Sequence, residues 1–279
     1  MTQPTERIRS RLWQETADPD NPYSADLCRC SGYDVYGDLL GKASWIEYLY
    51  LLFTARRPLP AQTRLLECLA VALANGGPRD HAVRAAMNAG VGGSTHASCL
   101  MAALAVGAGQ LGGAHEVAIA MTYWRDCGQI LDAWCVRLRD PVPAGRADVW
   151  PALEHAPGFD AHGTRCSRPV QQTLTHLVQL SPGPALPWLH VQRVALEDAA
   201  GRPLAMSGVA AAAMVDLGLD EAQGEMLYLL LRLPGAAVHA LEQERYGFRH
   251  FPFFPQGVHL TDDPQADTAT AGEDAYERV

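Results

Sequence analysis

"MLYLLLRLPGAAVHALEQ", residues 226–243, holds one charged group, Arg232, between Glu225 and Glu242. A run this apolar and without strand-like alternation predicts a helix buried among other helices. A guanidinium in such a helix is costly unless a carboxylate pairs with it. Two partners suit it equally: a structural carboxylate such as Glu225, or the carboxylate of a ligand held bidentately. His239 follows seven residues later, two turns on, along the same face.

The rest of the chain has the same texture. "GVAAAAMVDLG" (208–218) is a second buried helix just upstream. "SWIEYLYLLFTARRP" (44–58) opens with Ser44 and Glu47 at capping-box spacing and stops before Pro58. "PAQTRLLECLAVALANGGP" (60–78) starts on Pro60 and ends at Asn75-Gly76-Gly77-Pro78. Ala97–Gly109 is apolar all round, as expected of a helix enclosed by others. Alternating strand patterns are scarce, so the fold class is all-α. Prolines break up the stretch from Asp140 to Pro203. These textures divide the chain into an N-terminal arm (1–31), a large helical domain (32–115 and 204–260), a small inserted domain (116–203) and a flexible tail (261–279). The tail has almost nothing to bury.

Composition sets limits on function. With 48% hydrophobic and 19% charged residues, the 279-residue chain has ample material for a core. Its net charge of -9 and scattered Lys and Arg exclude a nucleic-acid backbone as partner. The N-terminal segment places charges where a signal peptide needs its apolar core, and no stretch is apolar enough to span a bilayer. A cytoplasmic protein is expected. Seven scattered cysteines without a C-x-x-C pair read as reduced thiols, and no metal site is expected.

Three further groups of residues are able to carry chemistry. Asp80-His81 follows a Gly-Pro turn. "GGAHE" (112–116) stops a buried helix and sets His115 and Glu116 just beyond two glycines. Glu116 is either a substitute acid–base group or simply a cap for the next helix. "PGFDAHGTRCSRP" (157–169) presents His162 in a glycine-flanked loop, with Arg165 and Arg168 behind it.

In order and spacing these segments resemble the citrate synthase superfamily, in particular its short citryl-CoA lyase-like branch. The similarity runs over about residues 32–255. "GYDVYGDLLGKASWIEYLYLLFTARRPLPAQ" (32–62) is similar to the family's early segment, and Asp80-His81 to its Asp-His-Gly turn, with Ala82 in place of the glycine. "QLGGAHE" stands where the family has its His-Gly-Gly loop. "GFDAHGTR" resembles Gly-Phe-Gly-His-Arg with one extra residue, and "MSGVAAAAMVDLG" and "RLPGAAVHALEQ" resemble the two late helices.

The resemblance implies an all-α, two-domain homodimer. It would bind an oxo or hydroxy di- or tricarboxylic acid and coenzyme A, as an acyl-CoA substrate, and form or cleave a C–C bond between an acyl-CoA and an oxo-dicarboxylic acid. His81 and His162 would contact the oxo or hydroxyl group, and Arg232 would clamp a carboxylate. Arg249, in "GFRHFPF", resembles a late arginine that acts across the dimer, and Arg165 and Arg168 would meet CoA phosphates.

Two positions depart from the pattern. Leu111 replaces the synthases' histidine, which polarises the thioester carbonyl; the lyase module of ATP-citrate lyase is apolar there too. Ser207 stands where the family has its catalytic aspartate, and a serine is no base near neutral pH unless another base activates it. A divergent enzyme, with His115 or Glu116 as displaced acid and base, therefore competes with a degenerate homologue. The latter would bind CoA or a carboxylate ligand, or partner an active subunit, without turnover.

Overall fold

The computed structural model describes residues 10–21, 23–139 and 155–250. The tail expected from residue 261, and residues 140–154 of the proline-rich stretch, lie outside the described residues.

The described chain opens with a small antiparallel sheet, β1 (Trp13–Ala17), β2 (Ala25–Cys30) and β3 (Tyr33–Asp34), in that order. The sequence gives little sign of it, because β1 is exposed along its whole length and no apolar alternation marks a buried face. Ser31 and Gly32 both take positive φ, 48° and 90°, which a two-residue hairpin turn demands. Asp34 then accepts from the backbone of Tyr36 and Gly37 and starts a π-helical turn.

Ten α-helices follow among the described residues: α1 (Trp45–Thr54), α2 (Pro60–Leu73), α3 (His81–Val91), α4 (His96–Gly107), α5 (Ala114–Cys127), α6 (Leu131–Arg139), α7 (Arg168–Leu180), α8 (Ala185–Ala200), α9 (Met206–Asp216) and α10 (Glu221–Tyr246). The expected capping box opens α1: Ser44 Oγ accepts from Glu47 N, and Glu47 accepts from Ser44 N at 2.8 Å. Asp80 caps α3 by accepting from Ala82 N and Val83 N.

α9 is the centre of the fold. From Val209 to Met214 every residue is fully buried, and its run of alanines lets α5, α7, α8 and α10 approach closely. Its C-terminal Asp216 is buried too, accepting from Ser181 Oγ (2.6 Å) and from Ala185 N and Leu186 N at the start of α8. A carboxylate facing a helix N-terminus satisfies orphan donors and meets the positive end of the dipole.

One apolar core links α1 and α2 through α5 to α6–α10. A second cluster joins Ala82, Val83 and Ala86 of α3 to Cys99 and Ala103 of α4 and to Ala236 and Ala240 of α10. α4 is not enclosed within the chain as its composition suggested. One side packs on α3 and α10, while Met101 is 66% exposed. No helix among the described residues is long and apolar enough to cross a membrane.

α10 carries Pro234 in its interior. The next amide, Gly235 N, leaves the helix ladder and donates to Ala74 O at the end of α2, 2.7 Å away. A Cβ at this glycine would sit 2.6 Å from that oxygen, so no larger residue fits. This contact sets α10 against α2 and aims Arg232 at the start of α3.

Candidate active site

A cleft of about 540 Å³ opens between the start of α3, the glycine turn before α5, the loop at residues 155–162, the start of α9 and the middle of α10. Its floor is built from two buried polar assemblies.

The first centres on Arg232. Its guanidinium forms an ion pair with Asp80 Oδ2, donates through Nη1 to Gly112 O at 3.0 Å, and lies over the Tyr228 ring. Tyr228 donates its hydroxyl to the same Gly112 oxygen at 3.3 Å. Of the two partners open to Arg232 in the sequence, a structural carboxylate is present, but it is Asp80 and not Glu225. Burial opposes the Arg232 charge, yet the neighbouring Tyr228 and Asp80 raise its pKa above the ordinary value. Burial pushes the Tyr228 phenol up to about 12, with Arg232 working in the opposite direction.

The second centres on Glu116, in the first turn of α5 and 1% exposed. Its Oε2 accepts from Gly112 N at 2.6 Å, and its Oε1 accepts from Gly158 N at 2.9 Å and from Ser207 Oγ at 2.6 Å. His155 Nε2, also buried, lies 3.7 Å from Oε2. Glu116 thus brings a carboxylate from α5 to the hydroxyl of Ser207 at the start of α9. Glu116 does more than cap α5, because it ties together segments 42 and 91 residues further along the chain.

Close backbone approach makes that assembly possible. Gly158, with φ +90°, presses against Gly208, and a Cβ on Gly208 would lie 2.4 Å from Gly158 O. Ala205 N donates to Gly158 O and Asp160 N to Pro203 O, so the loop runs antiparallel to the entry of α9.

His81, at the first position of α3, and His162 both line the cleft with exposed rings. Asp160 holds the His162 loop, accepting from the backbone of His162 and Gly163 at 2.9 Å each. Leu111 stands half exposed at the cleft mouth, beside Val106.

Glu116, Ser207, His81, His162 and Arg232 thus converge. His115 does not join them: its Nδ1 faces Glu225 of α10 at 3.4 Å, outside the cleft lining. Arg165, in the loop before α7, and Arg168, the first residue of α7, are exposed, and Arg249 is exposed in a short 3₁₀ turn against Phe248; none lines the cleft. Sequence reasoning missed His155 and Tyr228. Tyr228 had a signal, being one helical turn before Arg232. His155 had none, since nothing local separates it from an ordinary loop histidine. Among the described residues, no group of three or more His, Cys, Asp or Glu side chains is arranged to hold a metal ion.

No protein-family model matches the sequence, and neither does any curated protein. Solved structures do match. Citryl-CoA lyase from Hydrogenobacter thermophilus is 18% identical, with a TM-score of 0.69 over 93% of this chain and 96% of that one. ATP citrate lyase from Methanothrix soehngenii, in complex with citrate and coenzyme A, is 17% identical (TM-score 0.69), over 95% of this chain and 43% of that one. A Methanosaeta concilii ATP citrate lyase variant, in complex with (3S)-citryl-CoA, is 16% identical (TM-score 0.68), over 96% of this chain and 44% of that one. The chain spans less than half the length of these two ATP citrate lyases. At such identities the likeness establishes the fold, a citrate synthase-like, mostly helical architecture similar to that of citryl-CoA lyase.

Proposed function

We propose that the chain forms or cleaves a carbon–carbon bond between an acyl-CoA and an oxo acid, in the cleft between Arg232 and Ser207. The observation that carries this reading is the 2.6 Å hydrogen bond from Ser207 Oγ to Glu116 Oε1. A serine alone takes no proton near neutral pH, but one that already donates to a carboxylate can relay a proton.

In the cleavage direction, a substrate hydroxyl gives its proton to Ser207 Oγ while the serine proton passes to Glu116. The C–C bond then breaks. Its electron pair goes to the acyl-CoA α-carbon, and the hydroxyl-bearing carbon becomes the carbonyl of the oxo acid. Return of the proton to the α-carbon completes the acyl-CoA. Condensation runs the same steps backward. His81 and His162 face the oxo or hydroxyl oxygen, and Arg232 holds a carboxylate. Leu111 gives the thioester carbonyl no donor, so unassisted acetyl-CoA enolisation is disfavoured, by about 10²-fold or more.

Coenzyme A as the acyl carrier is taken from the two ATP citrate lyase structures that hold it or its citryl ester. In this reading Arg165 and Arg168 meet its phosphates, and Arg249 serves a homodimer in the cytoplasm.

A second reading has a specific observation behind it. Glu116 already accepts three hydrogen bonds and Arg232 is already paired with Asp80, as in a scaffold that binds without turnover. A CoA-release assay separates the two, using acetyl-CoA with a panel of 2-oxo acids, beside cleavage of citryl-CoA. Turnover that falls at least ~10²-fold in Glu116→Gln is expected. Wild type that binds CoA but turns over nothing selects the scaffold.

A further inference from the structure

We propose that the acid bound in this cleft is a 2-oxo or 2-hydroxy monocarboxylate with an apolar side chain, not the di- or tricarboxylate that the family resemblance implies. The proposal rests on the reading of the cleft given above and narrows its substrate.

Charge carries the argument. Among the described residues lining the cleft, Arg232 is the one Lys or Arg, against three carboxylates: Asp80, Glu116 and Asp160. Counted over Lys, Arg, Asp and Glu, the described lining has a net negative formal charge. Part of the Arg232 charge is already committed to Asp80. One substrate carboxylate can share that guanidinium, which retains donors beyond those used on Asp80 and Gly112. A second or third would meet the carboxylate side of the lining, with no further Lys or Arg among the described residues to receive it. Like charges brought together without a compensating cation act against binding.

The apolar part of the lining supplies the rest. Leu73, Val106 and Leu111 line the same cleft, and Val106 and Leu111 are 46% and 50% exposed at its mouth. Leu111 is one residue from Gly112, whose carbonyl accepts from Arg232. An acid with its carboxylate on Arg232 would therefore extend its side chain over Leu111, removing apolar surface of both from water.

The test is isothermal titration of the full-length wild type with pyruvate, 2-oxobutyrate, 2-oxoisovalerate, oxaloacetate and citrate, and with CoA in a separate arm. Affinity should rise from pyruvate to 2-oxoisovalerate, with oxaloacetate and citrate about tenfold or more weaker than the branched acid. In Leu111→Asn, a substitution at a half-exposed site that spares the core, the preference for 2-oxoisovalerate over pyruvate should collapse. Oxaloacetate or citrate binding more tightly than 2-oxoisovalerate overturns the proposal. So does citrate binding that vanishes in Arg249→Ala, because a second copy would then supply the missing charge. CoA binding with no oxo acid bound overturns the proposal and leaves the acyl-CoA half of the functional reading standing. Oxo acids ranked as expected with no CoA binding supports the proposal and sinks that half.

Discussion

Arg232 closes on the carboxylate of Asp80, a residue 152 positions earlier that caps the helix beginning at His81. The pair joins the middle of α10 to the start of α3 and, through Gly112, to the turn before α5. Both side chains are mostly buried, at 14% and 16% exposed, so either one alone would be an uncompensated charge. Arg232→Ala should cost about 3 kcal/mol in urea unfolding, and Asp80→Ala a similar amount. The double variant should cost clearly less than the two together; simple additivity would mean that the pair is not coupled.

Ser207→Ala removes one of three donors to a buried carboxylate and should lower stability by about 1–3 kcal/mol. If Ser207 relays a proton, turnover in Ser207→Ala should fall at least ~10²-fold, with the loss in kcat and little change in KM. An unchanged kcat would remove Ser207 from the chemistry.

Tyr228 holds its proton to about pH 12 in the folded chain, because burial disfavours the phenolate. In the unfolded chain the phenol titrates near 10. The folded state therefore binds the proton more tightly, and this contribution is complete below pH 10 and lost between pH 10 and 12. Stability should drop across that window by on the order of 2–3 kcal/mol. Thermal unfolding from pH 8 to 12 measures it, and Tyr228→Phe should flatten the alkaline limb.

Gly208→Ala should destabilise by about 1–3 kcal/mol and loosen the 155–162 loop. The cause is steric, since the added methyl would meet Gly158 O at 2.4 Å. Faster hydrogen exchange at Gly158 and Asp160 than elsewhere in the variant would register it. A variant as stable as wild type, with unaltered exchange, would contradict the close approach.

The outward side of α4, with Met101 66% exposed, and Val238 and Leu241 exposed on α10, is more apolar than a monomer needs. A second copy is expected to cover it. Light scattering at micromolar concentration should give a dimer, and Met101→Glu should shift it to monomer. A monomeric wild type counts against this expectation.

The helices were legible in the sequence because their signals are local. Ser44 and Glu47, Pro60, and the unbroken alanines of α9 each specify an element without help from distant residues. Arg232, the lone charge in a buried helix, and the two glycines before Glu116 marked the site for the same reason. What escaped was set by tertiary contact. Asp80 reads as an ordinary turn residue until α10 brings a guanidinium to it. His155 is distinguished only by lying against Glu116, and strand β1, exposed throughout, has no buried face to leave an alternating trace. His115 shows the converse: adjacency to Glu116 in the chain suggested a shared role, but helical geometry turns neighbouring side chains about 100° apart.

The bonds of Glu116 also bear on when the cleft forms. Its partners lie before it at Gly112 and well after it at Gly158 and Ser207. As the chain leaves the ribosome, α5 is complete long before its carboxylate can meet either later partner. Until then a charged group waits in a segment otherwise committed to burial. Closing contacts of such long sequence separation is slow. Acquisition of function should therefore coincide with the last cooperative step of folding, and no truncated nascent chain ending before α9 should hold a formed cleft.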